Sequence, residues 1–580
     1  MGALGAFTFV LHSHLPYVRL AGRWPHGEEW LHEAASETYI PLLQTLYDLK
    51  ESGAKFKLTL GMTPVLAEQL ADPDVLRHLD DYLDIKIAAA QRDMDYYEGK
   101  PIDLTGIIGA SSVQQPSPAN PHLRYLAEWY KSWFDSVKKA FQQRFNRDII
   151  GAFRRLQDDG YIEIATSAAT HAYLPLLSKD SSVNAQIQTG IASYERLFGR
   201  KPTTFWLPEC AYRPAYISEN GSTRPGLETW LARHGLKVFF TETHTITGGQ
   251  PVGIAAGDVL GPYGEVKRRY VIPVIQNLPE RPATTYQAYF VTNTVAGTNA
   301  GDHSGVVVIG RNNRTGQQVW SADWGYPGDF DYREFHKKAG TSGLQYWRVT
   351  GAKVELGRKD YYHPDWAAYK IDQHAEHYAH LVGDLLRDFH NNSGKFGIIA
   401  SNYDGELFGH WWFEGVSWLG KVLQHLSENP DVEISTAGDY VANHQPQETI
   451  SLPEGSWGAG GTHFMWDNGD THWMWQPIHE AEARMEALVA QFPNPSEDEH
   501  LVLSQTAREL LLLQSSDWAF LVTTGQAREY ATQRFSTHLE RFNALALGLE
   551  GDTPNRMLAE EYFELDRVFP DIDYRWFAAV

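Results

Sequence analysis

The sequence contains a single cysteine, Cys210, among its 580 residues. One thiol excludes an internal disulfide and any metal site built from several thiolates. Positive charge is also scarce, because 50 lysine and arginine residues stand against 72 acidic residues and leave a net charge of −22. Binding to the phosphate backbone of nucleic acids needs clustered positive charge, so we expect no nucleic-acid partner.

A basic leader and a long apolar run are missing as well. The first segment, MGALGAFTFVLHSHLPY, reaches His12 within its first apolar stretch, which predicts an opening strand and not a signal peptide. No run approaches the roughly 20 apolar residues that a membrane-spanning helix needs. We therefore expect a cytoplasmic protein with no membrane partner.

Aromatic residues, in contrast, are abundant. The chain has 19 tryptophans, and phenylalanine, tryptophan and tyrosine together make up 13% of it. Aromatic faces stack on the apolar faces of sugars, and they also fill protein cores. The core is the favoured interpretation for any single tryptophan, so composition alone assigns no substrate.

Short apolar runs of strand length recur along the chain, separated by helical patterns. They lie at 5–12, 55–61, 161–167, 203–208, 236–242, 305–311 and 395–401, with a further candidate at 432–436. Continuous apolar runs that alternate with helices are typical of parallel strands covered on both faces. Seven or eight such units predict an α/β fold built on a β/α barrel.

The pattern also predicts domain organisation. We expect a catalytic barrel over 1–445, interrupted by a helical insertion at 76–150, and a helical C-terminal domain over 446–580. The segment from Thr243 to about Asp302 is rich in glycine, threonine and proline, with little periodicity. A structureless loop of that length is unusual unless it has a function.

Polar residues follow several of the apolar runs, at the point where each predicted strand ends. They are His12 and His14 after the first run, His171 after the third, Glu209 after the fourth, and Asp404 and Glu406 after the 395–401 run. Barrel enzymes build their sites at the carboxyl ends of strands, from loops far apart in sequence. The shared placement therefore predicts a catalytic site, although each residue taken alone is more often structural.

Two carboxylates across a pocket suit glycosidic chemistry. In the retaining mechanism one attacks the anomeric carbon, and the other protonates the leaving oxygen and later activates the acceptor, at a separation of about 5–5.5 Å. The structural alternative for Glu209 is a buried acid paired with Arg213, four residues further on. The residues alone leave both open.

A metal site is a different alternative. His12 and His14 place two imidazoles on one side of an extended strand, and His171 or Asp404 could complete a zinc or other divalent site. Such a site would make the protein a metal-dependent deacetylase or a mannosidase-like enzyme. A bare pair of histidines two residues apart is a weak signal, which makes this the lesser alternative.

Five segments resemble, in order, the signature segments of glycoside hydrolase family 57: HSHLPYVRLAGRWPHGEEWLHEA, TLGMTPVLAEQL, ATSAATHAYLPLL, WLPECAY and NYDGELFGHWWFEG. Three later segments are similar to the α-1,4-glucan branching enzyme subgroup of that family: GRNNRTGQQVWSADWGYPGDFDYREFH, EGSWGAGG and LLLQSSDWAF. The resemblance spans nearly the whole chain, and several of its motifs have ten or more residues.

This resemblance implies an incomplete, seven-stranded β/α barrel with an inserted helical domain and a helical C-terminal domain that contributes to the cleft. It implies retaining chemistry on an α-glucan such as amylose, amylopectin or glycogen, without a metal or cofactor. Glu209 aligns with the family nucleophile, and Asp404 aligns with the general acid and base. The positions that align with substrate contacts are His12, His14, Trp24, His171, Arg311, Trp320, Gly328, Trp457 and Asp517.

The family also has a loop over the cleft, with a tyrosine near its tip, that favours transfer over hydrolysis. The corresponding region here is THTITGGQPVGIAAGDVLGPYGEVKRRYVIPVIQNLPERP, which is longer than the usual pattern. Tyr263 is the expected tip residue, with Tyr270 second. A further departure is Asp-Gly-Glu where relatives often have Asp-Thr-Glu, which should leave Asp404 in place.

Three other activities remain as alternatives to branching. An α-amylase or a 4-α-glucanotransferase would use the same carboxylates with a different acceptor. A metal-dependent enzyme would use the histidines. A non-catalytic glucan-binding protein is disfavoured, because Glu209, Asp404 and all three histidines are intact.

Overall fold

The computed structural model describes residues 2–23, 25–103, 113–114, 119–218, 221–251, 259–261, 264–266, 274–295, 303–321, 324–340 and 342–580. Three residues singled out above, Trp24, Tyr263 and Tyr270, lie outside the described residues. Within those ranges, no helix is both long enough and apolar enough to cross a membrane.

Ten strands form one curled sheet. They are β1 (Gly5–Ser13), β2 (Leu58–Met62), β3 (Ile162–Ser167), β4 (Thr204–Trp206), β5 (Val238–Thr241), β6 (Ala288–Thr292), β7 (His303–Gly310), β8 (Gly397–Asp404), β9 (Val432–Ile434) and β10 (Thr449–Ile450). Seven of them are parallel neighbours in the order β8-β1-β2-β3-β4-β5-β7. A bridge between Arg311 and Ala400 joins the end of β7 back to β8. The predicted seven-stranded, incompletely closed barrel is therefore confirmed.

Every predicted apolar run forms a strand, including the candidate at 432–436. Two strands of the sheet were not predicted. One is β6, which lies inside the segment expected to be a structureless loop, and the other is β10, the edge strand, which has only two residues. β6 pairs antiparallel with β7 and parallel with β10. Its apolar-rich run of five residues stands in a segment otherwise rich in glycine, threonine and proline, and a helix at Thr243–Thr247 also occupies this segment.

Three antiparallel strand pairs lie apart from the main sheet: Ile102–Asp103 with Val113–Gln114, Tyr216–Ile217 with Thr223–Arg224, and Val259–Gly261 with Gly264–Val266.

Helices cover the outside of the barrel and form most of the described C-terminal part of the chain. The α-helices up to β8 are Glu28–Ala34, Ile40–Glu51, Pro64–Ala71, Pro73–Tyr97, Pro121–Lys139, Ile149–Asp158, Asp180–Phe198, Leu227–Arg233, Thr243–Thr247, Asn313–Trp320 and Pro364–Ser393. Those after β8 are Gly415–Ser427, Ala437–Asn443, His472–Gln491, Glu497–Leu513, Ser516–Thr524, Arg528–Glu550 and Arg556–Leu565. The five from His472 onward confirm the predicted C-terminal helices.

The long helices between β2 and β3 begin where the sequence supplies caps. The Asp72 carboxylate accepts hydrogen bonds from the backbone N–H groups of Asp74 and Val75, and Pro73 occupies the first helical position. Asn120 caps the helix Pro121–Lys139 in the same way. These signals explain why a region larger than one crossover helix folds as a helical insertion.

Alternating residues of the barrel strands belong to two different cores. Phe7, Phe9 and Leu11 of β1 belong to the large core shared with the helices, whereas Ala6 and Val10 pack with apolar residues of other strands. Because successive side chains of a strand point to opposite faces, Ala6 and Val10 face the barrel interior. His12 continues that interior row at the carboxyl end of the strand.

Candidate active site

Interior rows of four strands end in polar residues at one end of the barrel. His12 follows Val10, Glu242 follows Phe240, Arg311 follows Ile309, and Asp404 follows Asn402 and Ala400 in the alternating pattern. His12 and Asp404 are register partners of adjacent strands. The parallel sheet therefore gathers these groups at its carboxyl end, as the strand pattern predicted for His12 and Asp404 and as the family resemblance implied for Arg311.

Glu209 leaves its strand by a strained turn. After β4 the chain forms a short 3₁₀ turn, Pro208–Cys210, in which Glu209 has φ 61° and ψ 23° and Cys210 has φ 48°. Left-handed backbone at a non-glycine residue costs about 1–3 kcal/mol and persists only where the surroundings enforce it. A hydrogen bond from the Cys210 N–H to the carbonyl of Leu207 enforces it here, at 2.9 Å.

Trp457 holds the Glu209 side chain. Its indole N–H donates to Glu209 Oε2 at 2.6 Å, and its backbone N–H donates to the Glu209 carbonyl at 3.1 Å. His171 lies on the other side, with Nδ1 3.8 Å from Glu209 Oε1. The loop that follows β10 thus supplies a direct contact to a carboxylate of the barrel.

Three histidines form a stack beside Glu209. His12 and His171 share a hydrogen bond between their Nε2 atoms at 3.1 Å, and the rings of His14 and His171 stack with centroids 3.9 Å apart. His12 also stacks on Trp206, at 4.4 Å and 10°. Burial, together with the neighbouring imidazoles, holds the pKa of His12 and of His171 well below the usual range, so both rings are neutral at pH 7.

The start of the helix Ser516–Thr524 anchors two of these histidines. His14 Nε2 lies 2.9 Å from Asp517 Oδ1, and the Ser515 hydroxyl donates to Asp517 Oδ2 at 2.6 Å. Ser516 Oγ lies 3.0 Å from His171 Nδ1. Asp517 is therefore placed at the site from the far end of the chain.

The Asp404 carboxyl group is buried and lies near two basic side chains. Burial raises its pKa to about 6, and Arg311 and His14 limit the rise. The chain turns directly after it through Gly405, where a Cβ atom would lie 2.4 Å from Ser13 Oγ. The glycine thus lets the ends of β8 and β1 approach closely, which is the structural consequence of Asp-Gly-Glu in place of Asp-Thr-Glu.

Arg311 is held by a buried partner. Its guanidinium donates to Glu242 Oε2 at 3.1 Å, and both side chains are buried. Burial alone would raise the pKa of Glu242, but the Arg311 charge, the hydrogen bond from the Thr243 N–H and the neighbouring His244 together outweigh burial, and the pKa lies below the usual range. Glu242 is thus ionised and fixes the arginine that faces Asp404.

A third carboxylate, Glu406, lies beneath Asp404. It accepts hydrogen bonds from the Tyr39 hydroxyl and, at 3.1 Å, from the His14 backbone N–H. Burial raises its pKa to about 8, and the Asp404 charge adds to the rise. Glu406 therefore ties the exit of β1 to the exit of β8.

Glu209 and Asp404 together hold one proton near neutral pH. Burial raises the pKa of Glu209 to about 8, with a further contribution from the Asp404 charge, while the Trp457 hydrogen bond opposes the rise. With the value of about 6 for Asp404, the pair has two successive titrations on either side of pH 7. One protonated and one ionised carboxyl group is the state that glycosidic chemistry requires.

The geometry does not favour the metal alternative. Among the described residues, the group of three side chains close enough to share an ion is Glu509, His538 and Asp566, in the C-terminal helices. The imidazoles of His12, His14 and His171 lie face to face, and both His14 nitrogens are engaged, one by Thr63 and one by Asp517. The three imidazoles therefore hold one another in position, and their nitrogens do not point toward a common ion site.

Two residues that were predicted to contact the substrate lie further from the two carboxyl groups. The Trp320 side chain is 37% exposed and lies 6.3 Å, between ring centroids, from Trp411 in the loop after Asp404. Gly328 is exposed in the 3₁₀ turn Tyr326–Gly328. Within the described contacts neither reaches Glu209 or Asp404, and Trp24 and Tyr263 lie outside the described residues.

Sequence reasoning missed several partners. Glu242, Trp206, Thr63, Tyr39 and Ser516 all contact the residues that were predicted. Glu242 had a usable signal, because it is the last residue of the predicted run 236–242, at the strand end where other candidate acids also lie. The other four are defined by three-dimensional proximity alone.

The profile of Glycosyl hydrolase family 57 matches residues 8–453. The chain belongs to this family. A second profile, the C-terminal region of 1,4-alpha-glucan branching enzymes, matches residues 477–577. Members of family 57 therefore share the barrel that carries Glu209 and Asp404, and the segment that carries Asp517 is shared with branching enzymes.

Characterised relatives extend the comparison. The chain is 44% identical over 547 residues to a 1,4-alpha-glucan branching enzyme of Thermococcus kodakarensis, covering 93% of this chain and 73% of the relative. The crystal structure of a branching enzyme of this family from Thermococcus kodakaraensis matches with a TM-score of 0.85 and 42% identity, covering 99% of this chain and 96% of that one. The crystal structure of the alpha-amylase AmyC of Thermotoga maritima matches with a TM-score of 0.78 and 29% identity, covering 100% of this chain and 99% of that one.

Proposed function

We propose that this chain is a 1,4-alpha-glucan branching enzyme, which cuts an α-1,4 glucan and rejoins the fragment to a 6-hydroxyl as an α-1,6 branch. One observation carries the proposal. Asp517, inside the segment that matches branching enzymes, contacts His14 beside the two carboxylates. The identity of 44% to a branching enzyme over 93% of the chain supports the same activity.

We assign a retaining mechanism with Glu209 as nucleophile and Asp404 as general acid and base. Glu209 attacks the anomeric carbon, the bond to the glycosidic oxygen breaks, and Asp404 gives its proton to that oxygen. Asp404 then takes the proton of an acceptor 6-hydroxyl, whose oxygen attacks the anomeric carbon and releases Glu209. Two displacements at one carbon restore its original configuration.

The proton must lie on Asp404 when the first step begins. The higher pKa belongs to Glu209, so substrate has to draw the proton across the pair. A glycosidic oxygen that accepts a hydrogen bond from Asp404 favours its protonated form, and the Trp457 N–H stabilises the ionised Glu209 that results. The buried, neutral imidazoles of His12 and His171 can exchange hydrogen bonds with sugar hydroxyls without competing for this proton.

Trapping the covalent intermediate tests the assignment of roles. The variant Asp404→Asn, given an α-glucosyl fluoride whose leaving group needs no acid, should accumulate a glycosyl-enzyme, because the base for the second step is missing. Peptide mass spectrometry should find the sugar on Glu209. A label on Asp404 in the variant Glu209→Gln would reverse the two roles.

Incubation with amylose tests the activity. Few new reducing ends before treatment with a debranching enzyme, and many afterwards, are expected for α-1,6 transfer. The exposed-residue variant Glu376→Gln should match the wild type, whereas Glu209→Gln should produce neither kind of end. Glu376 is a matched control because it is exposed on the helix Pro364–Ser393.

An α-amylase is the second candidate, because the alpha-amylase AmyC shares the fold over the full length at 29% identity. Its signature in the same assay is many reducing ends before debranching and no increase afterwards. We propose that Tyr263, which lies in the 243–302 region and outside the described residues, favours the acceptor hydroxyl over water. Excluding water protects a reactive glycosyl-enzyme from hydrolysis.

The remaining assignments belong to the same proposal. We place the catalytic barrel at 1–445, the helical insertion at 76–150 and the C-terminal domain at 446–580. A cytoplasmic enzyme that builds a glycogen-type polymer from amylose or amylopectin segments fits this activity. Trp24, Trp320 and Gly328 are proposed as outer contacts of a long glucan chain.

A further inference from the structure

A second cavity lies at the opposite end of the barrel from the carboxylates. It has a volume of about 740 Å³, within the range of roughly 300–1,000 Å³ that is typical of small-molecule sites. Its walls come from the amino ends of β3, β4 and β5 and from the helix Ala437–Asn443. We call it the amino-end pocket.

The charge of the amino-end pocket is opposite to that of the chain. Four cationic residues line it, Lys57, Arg200, Lys201 and Lys237, against two carboxylates, Glu163 and Asp439. The whole chain has 72 acidic residues and 50 basic ones. A local excess of cations in an acidic protein focuses a positive potential on the cavity.

Two of these cations are available to a ligand. Lys57 pairs with Asp439, and Arg200 pairs with Asp158. Lys201 and Lys237 take part in no ion pair with any described residue, and both are exposed at the rim. Two ammonium groups without carboxylate partners are thus presented at one opening.

Glu163, a carboxylate in the pocket wall, already accepts hydrogen bonds from other residues of the protein. Glu163 accepts hydrogen bonds from the hydroxyls of Thr203 and Thr204 and, at 2.8 Å, from the N–H of Gly438. Burial raises its pKa, which lowers its negative charge. It therefore opposes an incoming anion less than an exposed glutamate would.

Gln157 adds an independent observation. It is 5% exposed, and its Oε1 accepts hydrogen bonds from the Ile164 N–H at 2.8 Å and the Tyr194 hydroxyl at 2.9 Å, which fixes the orientation of the amide. Its Nε2 has no hydrogen-bond partner among the described residues, although Gln157 forms part of the pocket wall. Buried donors are nearly always paired, so Gln157 leaves a hydrogen-bonding capacity in this wall that no described residue uses.

We propose that the amino-end pocket binds a phosphate monoester of sugar-phosphate size. Phosphate is the anion that lysine ammonium groups bind as point charges, and the cavity leaves room for an attached hexose. The Asp439 carboxylate and the Thr203 hydroxyl can meet sugar hydroxyls there. This site is separate from the catalytic one and does not rest on the proposed function.

Calorimetric titration of the full chain at constant ionic strength tests the site, with inorganic phosphate, glucose 6-phosphate and glucose as probes. We expect saturable binding of both phosphates that depends on Lys201 and Lys237, whereas any binding of glucose reports the catalytic cleft and should not depend on these two lysines. The variants Lys201→Ala and Lys237→Ala should each weaken binding about tenfold or more, since each removes a charge-assisted contact. Lys353→Ala is the matched control, because Lys353 is exposed and forms no ion pair with a described residue.

The outcomes separate the possible sources of the ligand. Tighter binding of glucose 6-phosphate than of phosphate indicates a sugar phosphate, and equal binding indicates the free anion; both support the site. Glu209→Gln should bind both probes as the wild type does. Absence of saturable phosphate binding, equal affinity of the wild type and both lysine variants for phosphate, or an equal loss in Lys353→Ala would overturn the proposal.

Discussion

Asp404 ends a strand of eight residues, whereas Glu209 follows a strand of three. Asp404 has ordinary extended backbone and a register partner, His12, on the adjacent strand. Glu209 has left-handed backbone and takes two hydrogen bonds from Trp457, in a loop outside the strands of the barrel. One carboxylate is positioned by the sheet and the other by a distant segment, so their spacing can be adjusted from outside the barrel.

Replacing either carboxylate should have the largest effect. Glu209→Gln and Asp404→Asn should each lower kcat by about 10⁴-fold or more on natural glucan, because each removes a group that reacts directly. Glucan binding should persist in both. Measured kcat alongside the control Glu376→Gln checks this, and retention of a tenth of the activity in either variant would contradict the assignment.

Removing the Trp457 hydrogen bond should distinguish the two carboxylates. Trp457→Phe removes a charge-assisted hydrogen bond from Glu209 and leaves Asp404 untouched, so kcat/KM should fall about 10- to 100-fold. The pKa of Glu209 should rise further, moving the alkaline limb of the pH profile upward. Trp473→Phe, at an exposed tryptophan of the C-terminal helices, is the matched control and should change neither quantity.

The pH dependence should report the shared proton. Below a pH of about 6 both carboxyl groups are protonated and no nucleophile is present, and above about 8 both are ionised and no acid is present. The rate should therefore rise and then fall across neutral pH. A rate that stays flat between pH 5 and 9 would show that the carboxyl groups do not titrate as the burial of the pair requires.

The smallest expected effect is on stability. The folded state keeps the Glu209 proton up to a pH of about 8, whereas the unfolded chain loses it near 4.5, so stability falls as the pH rises through this interval. Glu209→Gln removes that loss, and its gain in stability over the wild type should be larger at pH 9 than at pH 5. Urea unfolding at the two pH values measures the difference; equal gains would argue against burial as the cause.

Sequence periodicity predicted the barrel because each parallel strand is a continuous apolar run. It failed at β6, whose five residues stand in a segment otherwise rich in glycine, threonine and proline, and at β10, which has only two residues. The site was predictable in part for a related reason. His12, Arg311 and Asp404 follow strands directly, so alternation of side chains fixes where they lie, and a family resemblance placed them in one cleft.

The rest of the site depends on contacts that no local pattern contains. Trp457 and Asp517 were reached only through the resemblance, since nothing in their own segments indicates a partner in the barrel. The strain at Glu209 was not predictable either, because it arises from the turn after β4 and the loop that holds it. The local pattern of apolar residues thus predicts the barrel, whereas contacts between residues far apart in the sequence determine the geometry of the active site.

The distance along the chain between contacting residues has a consequence for biosynthesis. His14 and Asp517 are 503 positions apart, and His14 and Glu406 are 392 apart. A ribosome releases the chain from its amino end. His14 therefore has neither of these partners until nearly the whole protein has been synthesised. Catalysis can begin only after the last helices have docked against the barrel. The time at which activity first appears during translation would therefore measure when folding is complete.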